Sequence, residues 1–243
     1  MKILPAFNDS RIWSGITCVD TSTMKWPGFT FSLTSSAEHG QVEQSYHALA
    51  SQLRLERHKI VTVQQVHGSN VVVAPLNVPE QADALITTTP GIVLGVKLAD
   101  CCGVLMFDPV CGVVAAVHSG WRGTSKNIVA AAVQKMNSYA GSNPKDLRVW
   151  LSPCASGEHY EVGEDVYSVL PQYCVPKGQK WLFDNTKAIV EQCVLAEVER
   201  ENVDVFGSCT IADDHWHSYR RDKELSGRML AFIGIRSEPS ESG

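Results

Sequence analysis

The feature that most constrains this chain is a series of short β-branched runs between Ile60 and Val117. Gly, Pro, Asn or Asp residues separate each run from the next, which is typical of strands that end in tight turns. The runs lie at 60–63, 71–73, 84–86, 92–96, 104–107 and 113–117. Because β-branched side chains pack well on a pleated surface, this part of the chain is predicted to be rich in β-sheet.

Helical patterns, in which apolar residues recur every three to four positions, flank these strands. The long patterns run over 41–56, 124–139 and 186–200, and a shorter one runs over 163–170. Thr124 or Ser125 is predicted to cap the second helix. Further strands are predicted at 147–151 and 203–206. Since strands and helices alternate only in part, we expect a mixed-sheet αβ protein rather than a regular doubly wound fold.

Length and composition limit the organisation and the partners. At 243 residues, with no repeat and no evident interdomain linker, the chain is predicted to form a single domain over 1–236 with a disordered tail at 237–243. No apolar run approaches the roughly 18 residues of a membrane span. The net charge is −5 and the Lys and Arg residues are scattered, which argues against a nucleic-acid surface. Because Met1 to Pro5 lacks the apolar run of a signal peptide, we expect a cytoplasmic protein with reduced cysteines.

Three segments share one arrangement, in which an apolar strand runs into a chemically useful residue beside a turn-former. They are QVHG at 65–68, ADCCG at 99–103 and VHSGWRG at 117–123. Strand ends let a rigid sheet aim side chains into a common pocket. Two imidazoles and one thiolate suit Zn²⁺, and three protein ligands leave a fourth position open, which is typical of a catalytic site.

The spacing of these residues matches no short zinc-finger pattern, so it leaves alternatives open. A lone histidine at a strand end is ordinarily a hydrogen-bonded core or surface residue. A cysteine nucleophile with a histidine as its base, without metal, is another interpretation. The pair His215 and His217 also has a spacing compatible with metal binding.

Arg122 follows His118 closely and precedes the second predicted helix, whose free N–H groups favour anions. We therefore interpret Arg122 as an anion clamp, with the capping of a surface turn as the alternative. The cluster at 220–222 is either a second anion-binding element or a solvated group of charges.

At these residues the sequence resembles the YfiH-like family, also called the polyphenol-oxidase or laccase-domain family, the purine nucleoside phosphorylases of that type and the peptidoglycan editing factors. The matching stretches are QVHG at 65–68, ADA at 82–84, ADC at 99–101, AAVHSGWRG at 115–123, YEVG at 160–163, SYRRD at 218–222 and GR at 227–228. They occur in the family's order over most of the chain from about residue 60 to 235. Thr34 stands where the family has Asn, and His217 stands where an aromatic residue is usual.

The resemblance implies an α+β (mixed αβ) fold of mixed β-sheets with flanking helices. It also implies that zinc, or copper, is bound by His67, Cys101 and His118. Cys101 is chosen over Cys102, which in an extended strand should face the other way. We predict that Cys101, His118 and Arg122 are catalytic and that Arg122, Tyr219 and Arg220 bind the substrate.

The activity implied by the resemblance is phosphorolysis of adenosine, inosine, guanosine and methylthioadenosine, with deamination of adenosine. Nucleoside and phosphate are then the small-molecule partners, and we expect a monomer or a weak homo-oligomer. One alternative is a zinc amidase that removes a wrongly incorporated Ser from a peptidoglycan precursor. Another is a copper-dependent polyphenol oxidase, and a third is a zinc-storing or small-molecule binding protein.

A true multicopper centre needs more histidine ligands, largely in pairs, than this chain offers with its eight His and one His-x-His pair. Among the activities that the resemblance implies, we therefore expect a zinc-dependent purine nucleoside phosphorylase with adenosine deaminase activity.

Overall fold

The computed structural model describes residues 1–76, 78 and 80–237, and within them the chain forms fourteen strands and six helices. The strands are β1 (Ile3–Pro5), β2 (Ile12–Thr17), β3 (Ile60–Thr62), β4 (Val71–Val73), β5 (Ala84–Thr87), β6 (Val93–Leu98), β7 (Cys102–Asp108), β8 (Val113–Ser119), β9 (Arg148–Leu151), β10 (Glu161–Val162), β11 (Cys174–Lys177), β12 (Lys180–Phe183), β13 (Val203–Val205) and β14 (Met229–Ile235). The helices are α1 (His39–Leu53), α2 (Trp121–Ser125), α3 (Ile128–Ala140), α4 (Glu164–Tyr167), α5 (Asn185–Leu195) and α6 (Tyr219–Asp222).

Most of the strands belong to two large mixed sheets. The first has the order β1-β2-β14-β6-β3, in which β3 is parallel to β6 and the other neighbours are antiparallel. The second has the order β13-β9-β7-β8-β5-β4 and is parallel only at its two outer pairs. A small antiparallel sheet has the order β10-β12-β11. The predicted α+β fold with mixed sheets and flanking helices is confirmed.

The two large sheets pack face to face as the inner layers of a four-layer sandwich. In β14, Ile233 faces the core between the sheets, whereas Leu230 and Phe232 face the outer layer formed by α1. In β7, Leu105 faces the core between the sheets, whereas Val104 faces α3 and α5 on the other side. Successive strand residues point to opposite faces, so each strand contributes to two cores. Burial of each Leu or Phe side chain contributes about 2 kcal/mol.

The strands predicted from the central β-branched runs are confirmed as β3 to β8, and those predicted further along the chain are confirmed as β9 and β13. The sequence patterns did not predict the small sheet, nor β14, which pairs with both β2 and β6 in the first sheet. The predicted tail, apart from Ser237, lies outside the described residues. Over the part of the chain that the structure describes, no helix is both long and apolar enough to cross a membrane.

The prediction of one helix over 124–139 is wrong, because two helices occupy this segment. Asn127 separates α2 from α3 with a φ of 57°, a left-handed conformation that Asn tolerates better than most residues. Neither Thr124 nor Ser125 is an N-cap. The hydroxyl of Thr124 is buried inside α2 and donates instead to Asn185 of α5, at 2.7 Å.

The other two long helices are shorter than predicted at their C-terminal ends. Helix α1 ends before Arg54, whose φ of 59° is left-handed. Helix α5 ends at Leu195 rather than near Arg200, and Glu197 follows with a φ of 67°. In both cases the apolar periodicity of the sequence continues beyond the end of the helix, past Arg54 and Glu197, whose backbones are left-handed.

Candidate metal centre and active site

The chain passes from the first large sheet to the second at Ala99–Cys101, between the end of β6 and the start of β7. Asp100 makes this turn with a φ of 81°, a conformation that costs a non-glycine residue about 1–3 kcal/mol. Its carboxylate accepts the backbone N–H of Arg220 at 2.6 Å and the hydroxyl of Thr210 at 2.8 Å. These bonds hold Cys101 at the edge where the two sheets meet.

His67 lies in the turn after β3 and also has a left-handed backbone, with a φ of 56°. The side chain of Gln65 ties this turn to β6, because it accepts the N–H of Lys97 at 2.7 Å and donates to its carbonyl at 2.8 Å. Behind the turn, the carboxylate of Asp83 accepts the three successive backbone N–H groups of residues 66–68 at 3.2, 3.0 and 2.6 Å. The imidazole is therefore presented by a tightly bonded turn.

His118 lies in β8, opposite Gly103 of β7. Its backbone N–H donates to the carbonyl of Asp83 at 2.7 Å, and its Nδ1 lies 2.8 Å from Oδ1 of the same residue. An ionised carboxylate can only accept, so Nδ1 carries the proton and, in the neutral ring, Nε2 carries the free lone pair.

The donor atoms of His67, Cys101 and His118 all lie within 4.8 Å of one another. The two imidazole rings meet edge to face, with centroids 4.8 Å apart and an interplanar angle of 81°. Gly120 leaves room for this arrangement, since a Cβ there would lie 2.7 Å from the Cys101 sulfur and 3.4 Å from the His67 ring. The structure thus brings together the three residues that the sequence predicted as ligands.

The three donors fit a metal ion. Two imidazoles and one thiol suit Zn²⁺, and copper also accepts them. His118 is buried, Cys101 is half-buried and His67 is exposed, so the group opens towards solvent on one side. The donors identify the site but do not select one of these metals.

Electrostatics around the triad favour a thiolate. Burial raises the pKa of Cys101, but the charge of His118 and the hydrogen bonds from both histidines outweigh burial and bring it to about 6. Burial lowers the pKa of His118, while Cys101 and Asp83 together raise it to about 9. Burial raises the pKa of Asp83, whereas its bonds from His118 and the Gly68 N–H lower it to about 2. A deprotonated thiol is the form that a metal ion requires.

The alternation predicted for the two adjacent cysteines is confirmed. Cys101 lines the cavity beside the triad, while Cys102 is fully buried in the core on the helix side of the second sheet.

The triad lines a cavity of about 650 Å³, a size suited to a small ligand. Four cationic side chains also line it, namely Lys97, Arg122, Arg220 and Arg228. The cavity is therefore locally basic on a chain whose net charge is −5, and it favours an anionic group.

Arg122 lies inside α2 rather than before a long helix, which corrects the sequence interpretation. Helix α2 has only five residues, so its N-terminus carries too few aligned peptide dipoles to add much anion affinity. The guanidinium of Arg122 lies over the Trp121 ring, 4.2 Å from its centroid, and makes no hydrogen bond to any residue that the structure describes. Its donors are free for a ligand in the cavity.

The other two predicted substrate residues also line the cavity but are partly engaged. Arg220 donates from Nη1 to the Glu161 carbonyl at 2.6 Å and lies over the Tyr160 ring. Tyr219 donates its hydroxyl to Glu224 at 2.6 Å. Of the predicted residues, Arg122 thus has the most hydrogen-bonding capacity left.

Several further residues of the site were given no role from the sequence, among them Asp83, Lys97, Tyr160 and Arg228. Asp83, Tyr160 and Arg228 lie in matching family stretches, which was the available signal. Lys97 had no such signal; its Nζ donates to the Val63 carbonyl at 3.1 Å, and burial lowers its pKa. Burial also raises the pKa of Tyr160, so its hydroxyl stays protonated as a donor.

His215 and His217 do not form a metal-binding pair. His215 is exposed and its Nδ1 lies 2.7 Å from Asp213. His217 is buried, its ring meets Trp26 edge to face at 5.7 Å, and its Nε2 lies 3.4 Å from the Phe29 carbonyl. In the described residues, the groups of three or more close donors are the triad and the surface cluster Asp213–His215. A single His₂Cys group cannot house the several copper ions of a multicopper oxidase.

Comparison with known proteins places these features in a family. The model described as "Multi-copper polyphenol oxidoreductase laccase" matches residues 18–236. A protein of Deinococcus radiodurans named purine nucleoside phosphorylase is 33% identical over 201 residues, which are 80% of this chain and 78% of the relative. A purine nucleoside phosphorylase of Corynebacterium glutamicum is 34% identical over 208 residues, with 81% and 82% covered. The crystal structure of the hypothetical protein YfiH of Bacillus licheniformis has a TM-score of 0.87 at 24% identity and 93% coverage of both chains, which supports the fold.

Proposed function

This chain belongs to the laccase-domain family, also known as YfiH-like, and we propose that it is a zinc-dependent purine nucleoside phosphorylase that also deaminates adenosine. The observation that carries the proposal is the opening of the His67, Cys101 and His118 triad onto a cavity with four cationic side chains. The names of the curated relatives supply the substrate class.

The three ligands would hold the ion at the edge of the cavity. When bound there, a zinc ion supplies Lewis-acid chemistry and lowers the pKa of water. The chain itself must bind and orient the nucleoside and hold phosphate.

In phosphorolysis, a phosphate oxygen attacks C1′ of the ribose while the bond from C1′ to the purine N9 breaks. The bonding electrons leave with the base, which takes up the proton that the hydrogen phosphate gives up, and the products are ribose 1-phosphate and a free purine. Arg122 suits the phosphate because its guanidinium donors are free, and Lys97 and Arg228 add positive charge in the same cavity. Tyr160, which stays protonated, offers a donor to the sugar or the base.

In deamination, water adds to C6 of adenosine and ammonia leaves, which gives inosine. This reaction needs no phosphate, so it should not depend on the free donors of Arg122. The nucleoside must present C6 rather than C1′ to the reacting group, and a cavity of about 650 Å³ has room for two orientations of a small ligand.

The test is to incubate metal-replete protein with adenosine, with and without phosphate, and to follow adenine and inosine by chromatography. We expect adenine only when phosphate is present and inosine in both cases. Formation of neither product would contradict the proposal and leave the amidase alternative ahead. Elemental analysis of the purified protein identifies the metal.

The Arg122→Ala variant sharpens this test. We expect phosphorolysis to fall by about 100-fold, as for loss of one donor to a developing charge, and deamination to fall much less. The matched control is Arg236→Ala, because Arg236 also lies over a tryptophan ring, that of Trp13, and is not among the residues lining the cavity. An equal loss of both activities in Arg122→Ala would remove its phosphate role.

A further inference from the structure

Asp83 immediately precedes β5 and is a fully buried carboxylate. A buried charge is costly unless hydrogen bonds and opposite charges compensate it. A residue of this kind is expected to have a specific role in the structure around it.

The hydrogen bonds of the Asp83 carboxylate all come from the segments that carry two of the three ligands. Oδ1 accepts the backbone N–H of His67 at 3.0 Å and the Nδ1–H of His118 at 2.8 Å. Oδ2 accepts the backbone N–H groups of Val66 at 3.2 Å and Gly68 at 2.6 Å. The four donors thus occupy both oxygens of one carboxylate.

We infer that Asp83 is a positioning residue for metal binding that sets two ligands at once. Its bonds to the backbone hold the left-handed turn that presents His67. Its bond to Nδ1 fixes the tautomer of His118, so that Nε2 faces the other two donors. The inference rests on the proposed metal site and assigns to Asp83 no contact with substrate.

The chemistry of the carboxylate, rather than its volume, is what this role requires. Asparagine has the same shape but only one acceptor oxygen. If its oxygen faces His118, its NH₂ group faces the N–H groups of Val66 and Gly68, where donors oppose donors. If its NH₂ group faces His118, the ring must accept at Nδ1 and carry its proton on Nε2, which then cannot bind a metal.

The first measurement is the zinc affinity of Asp83→Asn, obtained by competition with a chelator. Loss of a group that orients a metal ligand typically weakens metal binding 10–100-fold, and we expect a loss in that range. The matched control is Asp108→Asn. Asp108 is also fully buried and accepts backbone N–H groups, those of Val110 at 2.7 Å and Cys111 at 3.0 Å, but it contacts no ligand.

The control separates positioning from a general effect on folding. Asp108→Asn should lower the thermal stability but leave the zinc affinity within about twofold of the wild-type value. Equal zinc affinities for the two variants would overturn the inference. Because this measurement uses zinc alone, its result tests the role of Asp83 separately from the proposed nucleoside reaction.

A second measurement needs no variant and so does not depend on whether Asp83→Asn folds. Long-range ¹H–¹⁵N spectra of the zinc-loaded wild-type protein should show His118 protonated at Nδ1 and coordinated through Nε2. Coordination through Nδ1 would contradict the inference, because that nitrogen would then be unavailable to Asp83.

Discussion

Two pairs of histidines can be compared, His67 with His118 and His215 with His217. The fold brings the first pair together at one site and places the second pair in different surroundings. His67 and His118 are 51 positions apart in the sequence, yet the centroids of their rings lie 4.8 Å apart. The second pair is separated by one residue, yet one ring is exposed and the other is buried. Closeness in sequence is therefore a poor guide to a shared metal ion. Residues two positions apart would share a face in an extended strand, but residues 214–216 form a turn and a bend, and the two rings lie in different surroundings.

The surroundings of the two pairs explain their different chemistry. The first pair shares a thiol and a buried carboxylate and faces a basic cavity. In the second pair, His215 is paired with surface Asp213, and His217 is packed against Trp26. A set of donors becomes a binding site when a rigid fold aims them at one point and one side stays open.

The largest effect is expected from removing a ligand of the first pair. His118→Ala should lose stoichiometric zinc and reduce both nucleoside activities by more than about 100-fold, beyond the range for a residue that only orients a ligand. Elemental analysis and product chromatography measure this. His215→Ala is the control and should keep full zinc content. Stoichiometric zinc in His118→Ala would show that the comparison is wrong.

A smaller loss is expected from filling the space beside the first pair. In Gly120→Ala the new Cβ would lie 2.7 Å from the Cys101 sulfur, so the thiol must move, and misplacement by about 1 Å can cost on the order of 100-fold in activity. Gly40→Ala is the matched control, because a Cβ there meets nothing within 4 Å and lies in α1. Kinetics and zinc titration of both variants test this, and full activity in Gly120→Ala would contradict the packing argument.

The buried member of the second pair should affect acid stability rather than catalysis. Burial lowers the pKa of His217 from 6.5 to about 4, so the folded state favours the neutral ring. Above pH 6.5 the neutral His217 therefore makes its full contribution to the free energy of unfolding, about 3 kcal/mol. This contribution is lost as the pH falls towards 4.

His217→Phe removes this titration, so the difference in free energy of unfolding between pH 7.5 and pH 4.5 should shrink by about 2 kcal/mol or more. Urea unfolding at the two pH values measures it. An unchanged pH dependence in His217→Phe would assign the acid sensitivity to other groups. The nucleoside activities at neutral pH should stay close to wild type.

The smallest effect is expected at the exposed member. Asp213→Asn combined with His215→Ala removes the contact between these two side chains, and such surface contacts contribute about 0–1 kcal/mol. Zinc affinity and activity should stay within twofold of wild type. A second zinc equivalent that binds to wild type and is lost in the double variant would contradict this comparison.

The sequence predicted most of the sheet structure because β-branched runs separated by turn-formers are a local signal. It did not predict β14, although Met229–Ile235 is an apolar run, because its identity as a strand depends on pairing with β2 and β6 far along the chain. The break at Asn127 was also missed. Apolar periodicity continues across it, and the left-handed backbone of Asn127 that ends α2 is visible only in the folded chain.

For the site, the strand-end residues were identified from their local context, and the family resemblance selected Cys101. Asp83 lies in a matching stretch, but its role could not be predicted. The bonds that define it join the turn at 66–68 to β8, and these segments meet only in the folded chain.

Because the chain crosses from one large sheet to the other at Ala99–Cys101, the triad contains residues in or beside both sheets and one in the connection between them. His67 follows a strand of the first sheet, His118 lies near the end of a strand of the second, and Cys101 lies in the connection between the two sheets. The three donors therefore meet only in a copy whose sheets are correctly packed, and the apolar cores that pack them contain neither histidine. A copy whose layers have separated would no longer hold the three donors together, so a metal site of this kind can exist only in correctly packed molecules.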